Sequence, residues 1–507
     1  MTARSRKCCL PLLLFLVLVF SALLPAQDDF KDIQSKVTEF TLANGMKFIV
    51  LERHQAPVAS FYSHADVGST QEVKGITGLA HIFEHMAFKG TPVIGTTDYR
   101  KEKPALAKVA QAFLTLQKEK SKGTKADPAQ IQQLEDAFKK AQDEADNLVK
   151  ANEFGEIIEK AGGRGLNAGT SSDQTVYFFS LPSNEMELWF YLESERFLHP
   201  VFRQFYKERD VVMNERRMRT ENNPIGKLLE EFLAVAYKAH PYGEPTVGHM
   251  SDLENITVAD AEAFFKKYYC PANLVSAVVG DVDPKVVRRL AEKYFGRIPS
   301  GPKPEPLRTA EPPQIGERRV SLKLQSQRIV LMGYHKPDIN HPDDAVYDAL
   351  SSILSEGRSS RLYRSLVRDK KIAVNAGGFG GLPGQKYPGL FLFYAFPSQG
   401  HTNEEVLKAL EEEIERLKTQ PVEKDELQGV KQRAKASLLS QLDDNTQLAS
   451  NLGSIQVLTG DWRNLFKQLE KINRIMEEDI QRVAKSTFSN DNRTIGMIDP
   501  IDNKPSK

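Results

Sequence analysis

The first part of the chain contains short stretches in which hydrophobic and polar residues alternate. Residues 40–50 predict two strands joined by an Asn-Gly turn, because this pair adopts the left-handed backbone that a tight hairpin needs. Residues 58–67 alternate in a similar way and predict a further strand. After them, Thr77 is predicted to cap a helix that ends at Gly90. This part of the chain is therefore predicted to place a helix beside a strand-rich layer.

Residues 99–151 have a different pattern, in which apolar residues recur three and four positions apart in two runs. The first run consists of Leu106, Val109, Phe113 and Leu116, and the second of Ile131, Leu134, Phe138, Ala141, Ala145 and Leu148. Asp127 followed by Pro128 predicts the start of the second helix. We therefore predict an antiparallel helical hairpin inserted into the surrounding domain. Its alternating charges favour a solvated insertion without a catalytic role.

The end of the first half of the chain resembles the end of the second half. Residues 256–284 and residues 472–500 each predict a helix, a loop with an asparagine and a strand ending in Asp-Pro, over the same length. The proline-rich residues 299–317 lie between the halves and predict a linker. The simplest interpretation is a duplicated α+β domain. The predicted domains are residues 27–298, which contain the insertion, and residues 318–507.

Composition limits the broad class of protein. The chain has 507 residues, which suggests two or more domains, and its formal net charge is +1. This near-balanced charge gives no reason to expect nucleic-acid binding. Charged residues make up 27% of the chain and hydrophobic residues 40%, as in ordinary soluble globular proteins, so long disordered regions are not expected.

The N-terminus predicts export from the cytoplasm. Three basic residues within positions 4–7 precede the apolar residues 8–24, and small and polar residues follow. This order is typical of a secretory signal, so we predict a signal peptide over residues 1–26, cleavage after Ala26 and a secreted or periplasmic product. A retained membrane anchor is the alternative, because the apolar run is long. No other stretch of the sequence is apolar and long enough to span a membrane, so no stable span is expected after cleavage.

The number of cysteines limits which side chains can bind a metal ion. Cys8 and Cys9 lie in the predicted signal, so Cys270 alone remains in the exported chain. One cysteine forms no internal disulfide and no thiolate metal site. Any bound metal must therefore have nitrogen and oxygen ligands, and export without disulfides favours a bacterial periplasm.

Residues 81–85 have the sequence His-Ile-Phe-Glu-His, and this is the strongest chemical signal in the chain. His81 and His85 are four residues apart, so on a helix they lie on one face and can hold one metal ion. Glu84 lies next to this pair, where it can act on a metal-bound water. The order H-x-x-E-H reverses the commoner zinc-peptidase motif and is known from metallopeptidases. Two imidazoles leave a catalytic zinc site one ligand short, since three protein ligands are usual.

Two glutamates downstream are candidates for the missing ligand. Glu208 and Glu215 are seven residues apart, which is two turns of a helix and places them on one face. Glutamates in such a pattern are more often solvated surface charges. The spacing alone therefore leaves their role open.

Several segments together resemble the pitrilysin, insulysin and mitochondrial-processing-peptidase family of inverted-motif zinc peptidases, in its bacterial two-domain type. They are residues 81–91, residues 166–168 with residues 173–177, and residues 208–215. The resemblance extends over nearly the whole exported chain, with the helical hairpin as an insertion. It implies two homologous α/β-sandwich domains that face each other like a clamshell. A chamber between them would admit peptides and unfolded segments.

The resemblance also implies the composition of the site. It assigns His81, His85 and Glu215 as ligands of one Zn²⁺ per chain. It assigns Glu84 as the general base that takes a proton from a zinc-bound water. Glu208 resembles the family's supporting acid, which orients one of the two histidines from behind.

For substrate binding, the resemblance implies that an extended peptide adds to an edge strand at Asn167 and Ala168. Phe88 would line the adjoining pocket, although composition alone predicts a core residue. In active relatives the second half also supplies an arginine and, seven residues later, a tyrosine that hold the substrate. The matching positions here are Val367 and Val374, whose side chains donate no hydrogen bond.

We therefore hypothesise that a homologous partner without zinc supplies the arginine and the tyrosine in a heterodimer. A homodimer, compensation by other residues and a dispensable pair are the alternatives. The predicted function is a zinc-dependent endopeptidase that hydrolyses peptides or unfolded polypeptide segments. A non-catalytic homologue that binds peptides or acts as a scaffold is one alternative, and a dedicated processing peptidase for one peptide is another. The presence of all four residues at positions 81, 84, 85 and 215 favours an enzyme.

Overall fold

The computed structural model describes residues 32–501. The predicted signal peptide, residues 1–26, lies outside this range. Within it the chain combines helices with two separate mixed sheets, which confirms the predicted α+β class.

The first sheet has six strands in the order β1-β2-β6-β3-β5-β4. The strands are β1 (Val37–Thr41), β2 (Lys47–Glu52), β3 (Val58–Ala65), β4 (Arg164–Thr170), β5 (Thr175–Pro182) and β6 (Leu274–Gly280). The predicted hairpin is confirmed, since β1 pairs antiparallel with β2 and Gly45 at the turn has φ 97°. β4 lies at the edge of the sheet, so one side of its backbone has no strand partner among the described residues.

The second sheet has five strands in the order β7-β11-β8-β10-β9. The strands are β7 (Arg318–Leu324), β8 (Ile329–Lys336), β9 (Ala373–Leu382), β10 (Gly389–Pro397) and β11 (Arg493–Pro500). Apart from β1, the first sheet has the same topology, because β2-β6-β3-β5-β4 corresponds to β7-β11-β8-β10-β9. In both sheets the first pair of this series is parallel and the other pairs are antiparallel. This correspondence supports the duplication that the sequence predicts.

The helices surround the sheets and connect their strands. They are α1 (Leu79–Met86), α2 (Tyr99–Lys120), α3 (Pro128–Asp146), α4 (Glu153–Lys160), α5 (Met186–Leu198), α6 (Phe205–Arg216), α7 (Pro224–Ala236), α8 (Met250–Asn255), α9 (Val258–Tyr268), α10 (Pro284–Tyr294), α11 (Asp344–Ser355), α12 (Asn403–Thr419), α13 (Lys424–Asp443), α14 (Asn445–Thr459), α15 (Asn464–Arg474) and α16 (Glu477–Thr487). Across residues 32–501, none of the helices is both long and apolar enough to cross a membrane.

Helix α1 is shorter than the helix predicted between Thr77 and Gly90. It begins at Leu79, because Gly78 has φ 90° and its left-handed backbone separates the preceding loop from the helix. Thr77 does not cap the helix, and its hydroxyl donates instead to a carboxylate oxygen of Asp252 at 2.7 Å. The helix ends at Met86, before Gly90.

The predicted helical hairpin is present as α2 and α3. Asp127 accepts a hydrogen bond from the Ala129 N–H at 2.9 Å, and Pro128 occupies the first turn, so α3 begins as predicted. The base of the hairpin is closed by an antiparallel bridge between Thr96 and Val149. The predicted linker, residues 299–317, forms neither helix nor strand.

Each half of the chain covers one face of the other half's sheet with a helix. Helix α14, from the second half, packs on β3 and β6 of the first sheet. Its residues Leu448 and Leu452 are buried together with Ile49, Leu51 and Tyr62. Since these side chains form one core, the first sheet is complete only when the second half is present.

Helix α7 has the reciprocal position. It comes from the first half and packs on β7, β8 and β11 of the second sheet. Leu228 and Phe232 are buried there together with Ile329, Leu331 and Ile498. The opposite face of each sheet is covered by helices of its own half.

Candidate metal centre

The helix that carries the H-x-x-E-H motif is held at its N-terminus by a buried carboxylate. Glu72 is 8% exposed and accepts hydrogen bonds from the N–H groups of Gly78 at 2.8 Å and Ala80 at 2.7 Å. These donors are otherwise unsatisfied at the start of a helix. Burial raises the pKa of Glu72 to about 8, against the effect of the two N–H donors. Glu72 stands six residues before Gly78, too far along the chain for a sequence pattern to mark it as a partner of the helix start.

Three side chains from α1 and α6 converge at one point. Oε2 of Glu215 lies 3.4 Å from Nε2 of His81 and 3.4 Å from Nε2 of His85. The potential ligand atoms of these three residues all lie within 4.8 Å of one another, and within residues 32–501 no other group of His, Cys, Asp and Glu residues does so. His81 is buried, while His85 and Glu215 are partly exposed. The structure thus brings together the three residues predicted as ligands.

Glu208 lies behind this group. Its Oε2 is 3.4 Å from Nδ1 of His85, on the far side of the ring from Glu215, and its Oε1 is 2.5 Å from Nζ of Lys89. Burial opposes ionisation of Glu208, but His85 and Lys89 outweigh it and lower the pKa of Glu208. The contact of Lys89 with Glu208 is not predicted from the sequence, because a lysine in the motif segment is not a metal ligand.

The donor set fits a divalent cation. Nδ1 of His85 faces the Glu208 carboxylate, so a proton held at Nδ1 leaves Nε2 as the atom that can bind a metal ion. Burial lowers the pKa of His85, but Glu208 and Glu215 outweigh it and raise this pKa, so a bound cation would displace the proton of Nε2. Nε2 of His85 and the Glu215 carboxylate are then two acceptors 3.4 Å apart, and Nε2 of His81 adds a third. Burial lowers the pKa of His81, which favours its neutral, ligating form. Nitrogen and oxygen ligands of this kind suit Zn²⁺.

Glu84 lies beside the three converging side chains. Its Oε2 is 4.0 Å from Nε2 of His81, and its side chain is 21% exposed. It is not one of the three side chains whose potential ligand atoms all lie within 4.8 Å of one another. This position allows a proton transfer to or from a water at the group without a competing ligand role.

One arginine near the site was also missed. Nη2 of Arg219 lies 2.6 Å from Oε1 of Glu215, the oxygen that does not face the histidines. Arg219 stands four residues after Glu215, where α6 continues into the π-helical turn Arg217–Glu221. The spacing of four is a signal for an ion pair on a helix, but it does not by itself indicate a metal site.

The predicted peptide-binding residues lie on the edge strand β4, which packs against α1. Asn167 is exposed and its side-chain oxygen accepts a hydrogen bond from the Ala168 N–H at 2.9 Å, while Ala168 is buried. The edge position leaves backbone groups of β4 open to an added strand. Phe88 is partly buried and packs against the core of the first half.

The two valines of the second half lie on either side of the junction between a π-helical turn and the edge strand β9. Val367 is partly buried in the π-helical turn Tyr363–Asp369, and Val374 is 65% exposed on β9. β9 corresponds to β4 by its place in the sheet. Neither valine side chain carries a hydrogen-bond donor.

Sequence profiles of one peptidase family match most of the chain. Residues 48–115 and 144–249 match the profile described as insulinase (peptidase family M16), and residues 255–434 match the peptidase M16 inactive domain. The first match omits residues 116–143, which form the end of α2, the connection between the two helices and most of α3.

Two proteins that are named zinc proteases are similar to this chain over nearly its whole length. The zinc protease PqqE of Helicobacter pylori is 29% identical over 91% of this chain and 92% of its own length. An uncharacterised zinc protease of Bacillus subtilis, YmxG, is 22% identical over 93% of this chain and 100% of its own length.

Solved structures share the fold. A protease from Helicobacter pylori has a TM-score of 0.77 and 28% identity, covering 92% of this chain and 100% of its own. A peptidase M16 inactive domain from Pseudomonas fluorescens has a TM-score of 0.71 and 19% identity, covering 93% and 100%. The profile matches and these relatives together show that the chain belongs to peptidase family M16.

Proposed function

We propose that this protein is a zinc-dependent endopeptidase that hydrolyses peptides or unfolded polypeptide segments. The observation that carries the proposal is the convergence of His81, His85 and Glu215, with the Glu84 carboxylate 4.0 Å from Nε2 of His81. The zinc-protease names of the relatives support it. Since the H-x-x-E-H motif and the glutamate lie on separate helices, their convergence is not a consequence of sequence spacing alone.

In this proposal each side chain has one task. His81, His85 and Glu215 would hold one Zn²⁺, and Glu208 would keep the His85 ring oriented. When bound, Zn²⁺ supplies a water of pKa near 7 and a positive charge that polarises the scissile carbonyl. Glu84 accepts a proton from the attacking water and delivers it to the leaving amine.

The substrate would bind as an additional strand. An extended peptide can pair with the open backbone of β4 near Asn167 and Ala168, and β4 packs against α1, the helix that carries Glu84. Only an extended segment can present its backbone in this way. The proposed substrate class is therefore unstructured peptide rather than folded protein.

We further propose that catalysis requires a second, homologous subunit. The valines at positions 367 and 374 donate no hydrogen bond to a peptide carbonyl or to a tetrahedral oxyanion. A partner without zinc would supply the arginine and the tyrosine. The predicted signal peptide supports a periplasmic location for this assembly, and we propose residues 27–298 and 318–507 as its two domains in each chain.

The proposal is tested with the protein lacking residues 1–26, a quenched fluorescent unstructured peptide and added zinc. Glu84→Gln should keep zinc and lose about 10²- to 10⁴-fold in kcat, because the base is gone while the ligands remain. Glu156→Gln, an exposed glutamate on α4, is the matched control and should keep full activity. If Glu84→Gln is as active as the control, Glu84 is not the base.

The partner is tested in the same assay. The protein alone should hydrolyse the peptide slowly, and addition of the homologous chain that co-purifies with it should restore the rate. Full activity of the isolated chain contradicts the requirement for a partner. Tight peptide binding without hydrolysis, with zinc bound and every co-purifying chain present, favours the non-catalytic alternative.

A further inference from the structure

The base of the helical hairpin is connected to Lys89, which directly follows the metal-bearing helix. Two separate sets of contacts make this connection, one from α2 and one from α3. The Lys89 network is defined here as Glu102, Arg203, Asp146, Gln204 and Lys89. None of these residues is a proposed ligand or base.

The contact from α2 is a buried ion pair. Glu102 and Arg203 are 0% and 1% exposed at their side chains, and the guanidinium donates to both carboxylate oxygens, at 2.5 Å and 2.8 Å. Arg203 also donates to the backbone carbonyls of Lys89, Thr91 and Ile94. A buried ion pair is tolerated only when its remaining donors are satisfied, and here they are satisfied by the segment after α1.

The contact from α3 passes through one glutamine. The amide nitrogen of Gln204 donates to Oδ1 of Asp146, at the end of α3, at 3.1 Å. The amide oxygen of Gln204 accepts from Nζ of Lys89 at 3.3 Å. Gln204 has φ 58°, a conformation that residues other than glycine and asparagine adopt only when their surroundings hold it.

Lys89, held by these contacts, in turn contacts Glu208 beside the candidate metal centre. Its ammonium lies 2.5 Å from Oε1 of Glu208, whose other oxygen lies 3.4 Å from Nδ1 of His85. The Lys89 and Glu208 side chains are only 23% and 13% exposed, so water replaces their mutual contact poorly. We propose that Lys89 is a positioning residue for His85 and that the helical hairpin, rather than being a passive insertion, holds Lys89 in place.

Lys89 can orient His85 because the two carboxylate oxygens of Glu208 have different partners. One oxygen is bound by a fixed cation, so the other stays directed at the His85 ring. With its proton drawn to Nδ1, the ring presents the lone pair of Nε2 towards His81 and Glu215. Without Lys89, the Glu208 carboxylate is free to rotate, and the ring loses this orientation. This inference rests on the proposed zinc site.

The test measures zinc binding by competition with a chelator, with no substrate present, in the protein lacking residues 1–26. Lys89→Met keeps the aliphatic stem and removes the charge, so its zinc Kd should rise about 10- to 100-fold. Lys89→Arg keeps a cation and should return the Kd to within a few-fold of wild type. Lys101→Met on α2 is the matched control, because Lys101 is exposed and pairs only with Asp98 among the described residues. In the peptide assay, kcat should fall in Lys89→Met with little change in KM.

The role of the hairpin is tested by Asp146→Ala, which removes the α3 contact from Gln204. Its zinc Kd should rise about two- to fivefold, as for a partly exposed polar contact. If Lys89→Met unfolds, Lys89→Gln replaces it.

The outcomes separate the two proposals. A wild-type protein that binds no zinc overturns the proposed function and this inference with it. Zinc bound by wild type and equally well by Lys89→Met overturns only the role of Lys89. A weakened Lys89→Met with an unchanged Asp146→Ala overturns the role of the hairpin.

Discussion

The helix of the metal centre, α1, has a counterpart in the second half, α11. Both follow the corresponding strands β3 and β8 and pack against the corresponding edge strands β4 and β9. His81 lies as many residues after the end of β3 as Ser352 lies after the end of β8, so Ser352 and Glu356 correspond to His81 and His85. The same scaffold therefore presents two different sets of side chains.

In the second half these side chains bind one another. The Ser352 hydroxyl donates to Glu356, and Arg433 on α13 donates to Oε2 of Glu356 at 2.9 Å and to Oγ of Ser352 at 2.9 Å. Ser355, in the place of Glu84, exchanges hydrogen bonds with the backbone of Gly378 on β9. A donor is available for each acceptor, so no cation is needed. In the first half two histidines and a glutamate converge instead, with no arginine between them, and this difference supports the proposed metal centre.

The largest expected effect comes from giving the first half the three side chains that the second half has at this place. The triple variant His81→Ser, His85→Glu and Glu215→Arg should bind no zinc and show only background hydrolysis, because no metal ligand set remains. Its circular dichroism should match wild type, since the second half folds with this group. Zinc measured by elemental analysis at the wild-type level would mean that the ligands lie elsewhere.

A second large effect tests the reciprocal helices. Phe232→Ala on α7 should lower the free energy of unfolding by about 3–5 kcal/mol, and Leu452→Ala on α14 by about 2–5 kcal/mol. Because each helix completes the other half's sheet, we expect a single unfolding transition in urea for wild type and both variants. Ile315→Ala, at a side chain that is 93% exposed, is the control and should have little effect. Two separate transitions would contradict the interlocked packing.

A smaller effect distinguishes two corresponding histidines. His64 on β3 and His335 on β8 both lie one residue before the end of their strands, against α14 and α7 respectively. His64 is 1% exposed, a methyl group at Gly453 would overlap its ring, and its Nδ1 lies 3.0 Å from Oε1 of Gln174. Burial lowers the pKa of His64 from 6.5 to about 4, and burial also lowers the pKa of His335.

The sign of the pH dependence follows from these shifts. Between pH 6.5 and about 4 the unfolded chain binds a proton at His64 and the folded chain does not, so stability is complete above pH 6.5 and falls as the pH is lowered. The full loss from His64 is about 3 kcal/mol. Urea unfolding of His64→Gln across this range should show a flatter pH profile than wild type, and the same change at His335 should have a smaller effect. Parallel profiles for His64→Gln and wild type would contradict this assignment.

The smallest expected effect concerns the starts of the two helices. Glu72 bonds two N–H groups at the start of α1, whereas Asp343 at the start of α11 makes no capping hydrogen bond with its side chain. Glu72→Ala should cost about 1–3 kcal/mol of unfolding free energy, because two buried donors lose their acceptor. Asp343→Ala should cost less. Equal losses in thermal or urea unfolding would show that the Glu72 contact adds nothing specific to α1.

The sequence predicts much of this architecture and part of the site. Helical periodicity identifies α2 and α3, and the match between residues 256–284 and 472–500 predicts the duplication. The H-x-x-E-H spacing indicates His81 and His85 directly, while Glu215 depends on a resemblance, because one glutamate has no periodic signal of its own.

Other features could not be predicted from the sequence, for identifiable reasons. The start of α1 was misplaced at Thr77, since only the left-handed backbone of Gly78 shows where the chain turns. Lys89 and Arg219 contact carboxylates through tertiary packing or a π-helical turn, which the pattern of polar residues does not record. The apolar face of α7 predicts burial, but periodicity does not tell which sheet a helix covers.

The reciprocal covering of the sheets has a consequence for synthesis of the chain. A nascent polypeptide that has completed β6 still exposes Ile49, Leu51 and Tyr62, because α14 has not yet been translated. Such an unfinished apolar face is a site for chaperone binding or aggregation. The first half therefore matures only after the second half has been made. We therefore expect the proposed peptidase site, which lies in the first half, to be held in a finished fold only once the whole chain has been made.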